Sequence, residues 1–205
     1  HSFTEHAIYI DDTFSDITLN NILIESQNST TDIFAEDTYL SINNLILNAN
    51  VSYDYGISFS GTGSFSLNNS EINGFHEGLY IQGNNNTHTI ENSIFNNCSY
   101  SVNASISTNI SFDNCEFLNN NYGINIQNGS NTTINNSSFQ NNSSYGIYLD
   151  NNISYIIDNC EFIGNYSSIK QSGGNSYTPK HIYNSIFQNN QYYAYENSSD
   201  PQYGA

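Results

Sequence analysis

The stretch that indicates the fold most clearly is residues 110–126, which read ISFDNCEFLNNNYGINI. Residues 132–148, TTINNSSFQNNSSYGIY, repeat its pattern. Both contain the same six-residue phrase: an apolar residue, any residue, Asn, a small residue, any residue, Phe. A short alternating run that begins with Gly-Ile comes next in both. A phrase that returns after 22 residues is typical of a repeat architecture, in which each copy builds one structural unit.

Eight copies of the phrase occur along the chain, and we call the Asn of each copy its anchor. The anchors lie 22 to 25 residues apart, with an apolar residue two positions before and three positions after each of them. They are Asn21, Asn44, Asn69, Asn92, Asn114, Asn136, Asn159 and Asn184. The chain as a whole is rich in Ile, Phe and Tyr, and no stretch has apolar residues at helical spacing. The pattern therefore predicts an all-β chain.

Three short strands per repeat cannot enclose a core as one flat layer, but they can if each repeat forms one turn of a coil. Turns of parallel strands then stack, so that equal positions lie above one another. We expect about eight coils of 22–25 residues over residues 7–196, in one domain that covers residues 1–205. Residues 1–6 and 197–205 are expected to be short uncapped tails.

Two columns of side chains are expected inside this coil. Asn tolerates the left-handed backbone conformation of a tight bend, and its amide can bond to the residues above and below. The anchors should therefore form an interior amide ladder. The second column is a stack of aromatic rings: Phe95, Phe117, Phe139, Phe162 and Phe187.

This repeat resembles the right-handed parallel β-helix repeat of pectate-lyase-like solenoids and of large Asn-rich adhesin-like surface proteins. The resemblance covers nearly the whole chain. It implies a single-stranded β-helix, a right-handed winding and an Asn ladder at the second bend of each coil. It implies no single activity, because this fold carries enzymes, binding proteins and structural proteins alike.

The charge of the chain excludes several classes of partner. There are 19 acidic residues against two Lys and no Arg, which gives a net charge of −17. A surface of this sign repels phosphate backbones and anionic lipids, so we expect no nucleic-acid partner. No apolar run is long enough to span a bilayer, so we expect no membrane insertion.

The sequence also argues against catalysis. Pectate lyases of the resembling family use acidic calcium ligands with an Arg base, and the related hydrolases use clustered Asp with His and a Lys or Arg. Arg is absent here, and Asp11 and Asp12 form the one comparable acidic pair, in the first coil. We interpret His76 and Glu77 as an exposed pair on a turn. We therefore expect no catalytic residues and no enzymatic activity.

No metal site or cofactor is expected beyond covalent N-glycans. Asp113 with Glu116, and Asp158 with Glu161, flank equivalent bends two coils apart, which leaves calcium binding open as an alternative to a row of solvated acids. The three cysteines include no Cys-x-x-Cys pair, and we interpret them as small interior residues. They are Cys98, Cys115 and Cys160.

Glycosylation is the strongest functional signal in the sequence. Asn-x-Ser/Thr occurs sixteen times, roughly twice the number that random order would give, and such acceptor sites belong to exposed turns of secreted chains. Three of the sixteen belong to the anchor phrase: Asn68, Asn135 and Asn136. The predicted glycosylation sites are the other thirteen: Asn28, Asn50, Asn85, Asn97, Asn103, Asn109, Asn128, Asn131, Asn141, Asn142, Asn152, Asn165 and Asn197.

One strand of each coil should carry aromatic side chains outward. They are Tyr9, Phe34, Tyr80, Tyr148 and Tyr195, and they are interrupted by Ser58, Asn103, Asn125 and Lys170. We interpret the chain as a non-catalytic, extracellular, N-glycosylated structural protein. It would be a subunit or segment of a surface filament, sheath or adhesin, in which identical subunits join head to tail. The alternative is a carbohydrate-binding or glycan-active β-helix protein that uses the aromatic strand.

Overall fold

The strands of the chain form one parallel β-solenoid. The computed structural model describes residues 6–11, 15–26, 31–49, 55–127, 131–150, 153–173 and 179–197. This part of the chain contains 21 strands and no helix, so none of its elements is a helix that could cross a membrane. All strand pairings are parallel.

The strands in chain order are as follows. The first ten are β1 Ile8–Asp11, β2 Asp16–Ser26, β3 Thr31–Glu36, β4 Tyr39–Ala49, β5 Tyr55–Gly61, β6 Phe65–Asn68, β7 Glu71–Asn73, β8 Glu77–Glu91, β9 Ile94–Asn96 and β10 Tyr100–Asp113. The next six are β11 Glu116–Leu118, β12 Tyr122–Gln127, β13 Asn131–Asn135, β14 Ser138–Gln140, β15 Tyr145–Asp150 and β16 Ser154–Asp158. The last five are β17 Glu161–Ile163, β18 Ser167–Ser172, β19 Lys180–Tyr183, β20 Ile186–Gln188 and β21 Tyr195–Asn197.

One turn of the solenoid has three faces. In a central turn, β12 lies on face 1, β13 on face 2 and β14 on face 3, and β15 returns to face 1 directly beside β12. The long strands β8 and β10 run through the corner from face 1 to face 2 without interruption. The solenoid has about seven turns, against the eight coils expected, because the eight anchors enclose seven complete turns. The predicted fold class is confirmed.

The apolar positions of the repeat fill the interior. The residues two before and three after each anchor are buried in the central turns and half-buried in the first and last ones. The side chains of a strand alternate between its two sides, so each strand contributes these residues to the core and its polar residues to the surface. Thirty-six buried apolar residues form one continuous core cluster, as the repeat predicts.

The phenylalanine stack is confirmed. The five rings of the predicted column lie in register on face 3. Their centroids are 5.4, 4.7, 4.9 and 4.9 Å apart in order, and neighbouring rings are within 8° of parallel. Such contacts contribute about 0.5–1.5 kcal/mol per pair beyond the area they bury.

The anchors have the predicted backbone conformation but not the predicted location. All eight have a positive φ, between 46° and 57°, and several pair from turn to turn, as where Asn114 donates to Asn92 and Asn159 donates to Asn136 at 2.8 Å. However, every anchor is exposed, so this ladder runs along the surface. The prediction of an interior position was wrong because the left-handed corner directs the anchor side chain outward. The residue that follows the anchor points inside instead.

The interior amide column consists of other residues, in the corner between faces 3 and 1. Its members are Asn120, Asn142, Asn165 and Asn190. The Nδ2 group of each donates to the carbonyl of a stacked Phe one turn before, at 2.9 to 3.2 Å. The Oδ1 atom of each accepts a backbone N–H of the preceding turn, at 2.8 to 3.1 Å. These buried amides are thus satisfied, as buried polar groups must be.

Candidate functional site

The tyrosine face is the outer surface of face 1. We define it by two columns of residues that lie in register from turn to turn. The first column holds Tyr55, Glu77, Tyr100, Tyr122 and Tyr145. The second holds Ser58, Tyr80, Asn103, Asn125, Tyr148 and Lys170. The tyrosines are all half-buried, so each ring presents part of its surface to solvent.

The tyrosine rings contact one another along the axis of the solenoid. Tyr100 and Tyr122 are stacked, with centroids 4.7 Å apart and planes 15° from parallel. Tyr145 and Tyr148 approach Tyr122 at 5.6 and 6.2 Å in tilted and edge-on geometry. The ring of Tyr145 also lies 5.4 Å from the Nζ atom of Lys170, which is a cation–π contact. The rings therefore form a continuous aromatic strip across several turns.

A buried carboxyl group lies within this strip. Glu77 is the first residue of β8, and only 7% of its surface is exposed. Burial raises the pKa of its carboxyl above the usual value, although a hydrogen bond from Asn103 and the neighbouring His76 oppose that shift. The prediction of an exposed turn pair was wrong for Glu77, because the strand begins one residue earlier than the turn pattern indicated. His76 itself precedes the strand and is half-buried.

Two amides connect the carboxyl to the middle of the face. The Nδ2 group of Asn103 donates to Glu77 Oε2 at 3.0 Å, and the Nδ2 group of Asn125 donates to Asn103 Oδ1 at 2.9 Å. Asn125 is 5% exposed. The face thus places a few hydrogen-bonding groups beside partly exposed aromatic rings, which is the combination that small-molecule sites use for orientation and contact.

The surroundings of Glu77 can be compared with the carboxyl pair of a glycoside hydrolase. Such an enzyme needs a second carboxyl within about 5–10 Å of the first. Among the described residues, those in register with Glu77 in the neighbouring turns are Tyr55 and Tyr100, and neither is acidic. The acid at the far end of the face, Glu196, pairs with Lys170 at 3.0 Å. Glu77 is thus a buried carboxyl that accepts a hydrogen bond from Asn103 and has tyrosines on both sides in its column.

The family of the chain follows from its repeat. A family model described as a right-handed β-helix region matches residues 55–203. The chain belongs to the right-handed β-helix family. This match confirms the right-handed winding that the sequence resemblance implied. Comparisons with curated proteins and with solved structures gave no match.

The remaining predicted aromatic residues lie at the two ends of the β-helix. Tyr9 and Phe34 stack on face 1, with centroids 5.3 Å apart and planes 8° from parallel. Tyr195 lies on the last strand, where its hydroxyl accepts a hydrogen bond from Tyr155 at 3.2 Å. The prediction was wrong for Tyr195, because the last strand places it in register with the buried Ile169 and places Glu196 in register with Lys170. The other predicted outward aromatics share face 1 in separate groups, and the central group also includes Tyr100 and Tyr122.

Calcium binding was one alternative for the acidic residues at two equivalent bends. The aspartates of these bends belong to the surface ladder of the β-helix. Asp113 accepts a hydrogen bond from Asn136 at 2.7 Å, and Asp158 accepts one from Asn184 at 2.8 Å. Over the described ranges, no group of three or more His, Cys, Asp and Glu side chains comes close enough together to hold a metal ion. A separate groove of about 300 Å³ on face 2, lined by Thr133, Ile156 and His181 among others, lies away from the tyrosine face.

The predicted glycosylation sites fall into three groups in the β-helix. Those outside the described residues, or with undescribed side chains, are Asn28, Asn50, Asn85, Asn128 and Asn152. The exposed ones are Asn97, Asn109, Asn131, Asn141 and Asn197, and Asn103 is half-buried. Asn97 and Asn141 have positive φ at the corner between faces 3 and 1, where they point away from the core.

The third group consists of buried acceptor sites. Asn142 and Asn165 are 0% exposed and belong to the interior amide column. The sequence holds a signal for this column, because four successive repeats contain the same four-residue phrase: Phe, any residue, Asn or Gly, Asn. The first Asn or Gly takes the left-handed conformation and the second Asn turns inside. A glycan on either buried amide would be incompatible with that interior position.

Proposed function

We propose that this β-helix is a non-catalytic structural protein of an extracellular surface and that it carries N-glycans. The observation that supports a structural role is the continuity of its columns. Several anchors of the surface ladder bond from turn to turn, and the later turns add the phenylalanine stack and the interior amide column. Such repetition favours a stiff rod, since neighbouring turns are joined by contacts of the same kinds.

The glycan proposal rests on exposed acceptor residues. Asn97 and Asn141 lie two turns apart at one corner, so glycans there would cover one edge of the rod. Asn109 and Asn131 lie in adjacent turns, and their amides bond to each other at 2.9 Å, so glycans on both would crowd. N-glycosylation takes place in the secretory pathway, which is the reason for proposing an extracellular location.

Mass spectrometry of protein secreted from a eukaryotic host tests this proposal. We expect intact mass to fall on enzymatic deglycosylation, with glycopeptides at Asn97 and Asn141 and none at Asn142 or Asn165. An Asn141→Gln variant should lose the glycan of that peptide, although the acceptor site at Asn142 remains. An unmodified intact mass, or a glycan at Asn142 in the folded protein, would refute the proposal.

The proposal includes end-to-end association of identical copies. Each turn presents its neighbour with a parallel row of backbone donors and acceptors, and a second copy could continue these rows. Light scattering and negative-stain microscopy should then show rods longer than one chain. A single species of 22.9 kDa plus its glycans at all concentrations would contradict end-to-end association.

A second candidate function is carbohydrate binding by the tyrosine face. The observation that favours it is the buried carboxyl and amide pair beside half-exposed rings. The Glu77 carboxyl would accept hydrogen bonds from sugar hydroxyls, and Tyr100 would stack on a sugar ring. The acidic surface favours neutral glycans, because an anionic one would be repelled.

Titration calorimetry with neutral oligosaccharides tests this candidate. We expect Tyr100→Ala and Glu77→Gln each to weaken binding, whereas Tyr183→Ala, an exposed tyrosine on face 2, should leave it unchanged. Equal affinities for all three variants would place any binding elsewhere on the chain.

A further inference from the structure

A pair of exposed tyrosines at the corner between faces 3 and 1 lies outside the sites described so far. Tyr166 and Tyr192 occupy adjacent turns, and the backbone N–H of Tyr192 donates to the carbonyl of Tyr166 at 2.8 Å. Their ring centroids are 4.4 Å apart with planes 39° from parallel. This is the shortest distance between two tyrosine rings among the described residues. The side chains are 39% and 62% exposed, so solvent-borne reagents can reach both rings.

The separation of the two rings is what suits them to coupling. Two phenoxyl radicals couple through the Cε carbons, which are next to the phenol oxygens. With ring centroids 4.4 Å apart, small rotations of the two side chains bring one Cε carbon of each ring together. The backbone hydrogen bond between the two residues keeps the rings adjacent in the folded chain. A side-chain hydrogen bond with Tyr192 is also the main cause that raises the pKa of Tyr166.

We propose that Tyr166 and Tyr192 are a site of oxidative cross-linking, at which a one-electron oxidant of the peroxidase class, supplied with hydrogen peroxide, joins the two rings as dityrosine. Each phenol loses one electron and its hydroxyl proton, which gives two phenoxyl radicals. A carbon–carbon bond forms between one Cε atom of each ring. The hydrogen on each of these carbons then moves to the ring's oxygen, which restores both aromatic rings. One peroxide accepts the two electrons and two protons and becomes two waters.

The product would lock two turns of the rod together covalently. The bond would close a loop of 27 residues, from Tyr166 to Tyr192, whose two ends are already joined by a backbone hydrogen bond. A cross-link of this kind constrains the unfolded chain, as a disulfide does. The described cysteines are buried and free, so the tyrosine pair would supply a covalent link that they do not. This proposal does not depend on the function proposed above.

Peroxidase and hydrogen peroxide applied to the intact chain at low protein concentration test the site. We expect blue dityrosine fluorescence, a product of monomeric size, an intact mass lower by two hydrogen atoms, and a cross-linked peptide pair that contains residues 166 and 192. The Tyr166→Phe and Tyr192→Phe variants should each lose that peptide pair, because phenylalanine gives no phenoxyl radical. Tyr183→Phe is the matched control, since Tyr183 is 49% exposed and its described ring contact is with His181.

Two outcomes would overturn the proposal. One is cross-linked peptides that lack residues 166 and 192 in the wild-type protein. The other is an unchanged yield of intramolecular dityrosine in Tyr166→Phe. The substitutions remove only exposed hydroxyl groups, and far-UV circular dichroism before oxidation verifies that the variants are folded.

Discussion

Truncation of Asn142 to Ala tests the interior amide column most directly. The Asn142 side chain makes three hydrogen bonds inside the rod. Its Nδ2 group donates to the Phe117 carbonyl at 3.1 Å and to Asn165 Oδ1 at 2.8 Å, and its Oδ1 atom accepts the Asn120 N–H at 3.1 Å. The Asn142→Ala substitution leaves the Asn120 N–H and the Phe117 carbonyl without this partner at a site closed to water.

The expected cost follows from these two groups. A buried polar group that loses its partner costs about 1–3 kcal/mol, so the free energy of unfolding should fall by about 2–6 kcal/mol. That is a large part of the 5–15 kcal/mol that is typical of a folded domain. Urea unfolding followed by circular dichroism measures the change. Amide hydrogen exchange gives a local readout, since the Asn120 N–H should exchange faster.

Asn131→Ala is the matched control, because Asn131 is exposed and its described side-chain partners, Asn109 and Ser154, are also at the surface. It should change the free energy of unfolding by less than about 0.5 kcal/mol. If the two variants unfold at the same urea concentration, and the Asn120 N–H exchanges equally in both, then the column does not stabilise the fold and the reasoning is wrong.

Four further substitutions test the core. Phe139→Ala should cost about 3–5 kcal/mol by opening a cavity in the ring stack, and an unchanged melting temperature would contradict the stack. Gly123→Ala would place a Cβ atom 2.4 Å from the Gly146 carbonyl oxygen and should cost about 1–3 kcal/mol, whereas Ser101→Ala in the same column removes an unpaired buried hydroxyl and should be neutral or stabilising. Burial lowers the pKa of His88 to about 4 from 6.5. Between these two pH values the imidazole takes up a proton more readily in the unfolded chain. The free energy of unfolding should therefore be independent of His88 protonation above pH 6.5 and decrease by up to about 3 kcal/mol as the pH falls to about 4. His88→Gln should flatten this pH profile, and an equally steep profile in the variant would assign it to other groups.

The sequence predicts the winding of the chain well, because the repeat records which positions face the core. The apolar residues around Asn114 and Asn136 predict the strands of faces 2 and 3, and the Gly-Ile runs predict face 1. It fails on the direction of side chains at the corners. A left-handed Asn can place its amide on either side of a bend, and only the three-dimensional path shows that the anchors point outward while Asn120 and Asn142 point inside.

The candidate site was harder to predict for a related reason. The alternating run does not reveal the tyrosines that follow the corner between faces 3 and 1, such as Tyr100 and Tyr122, since they lie directly before the run begins. Glu77 occupies the same column, and only that register reveals a carboxyl among aromatic rings. Acceptor sites for glycans are defined by three residues of sequence, which contain no information on burial. Asn141 and Asn142 carry overlapping acceptor sites, yet one is exposed and the other is 0% exposed.

The parallel pairing of the turns determines how the rod would respond to force. The backbone hydrogen bonds between turns point along the axis, so a pull applied along that axis loads one row of bonds at a time. Each released turn of 22 to 25 residues would add about 80 Å of contour length, at about 3.5 Å per residue. Under tension such a rod lengthens stepwise at low force and dissipates energy with each step, and it behaves as an extensible tether although it is stiff at rest.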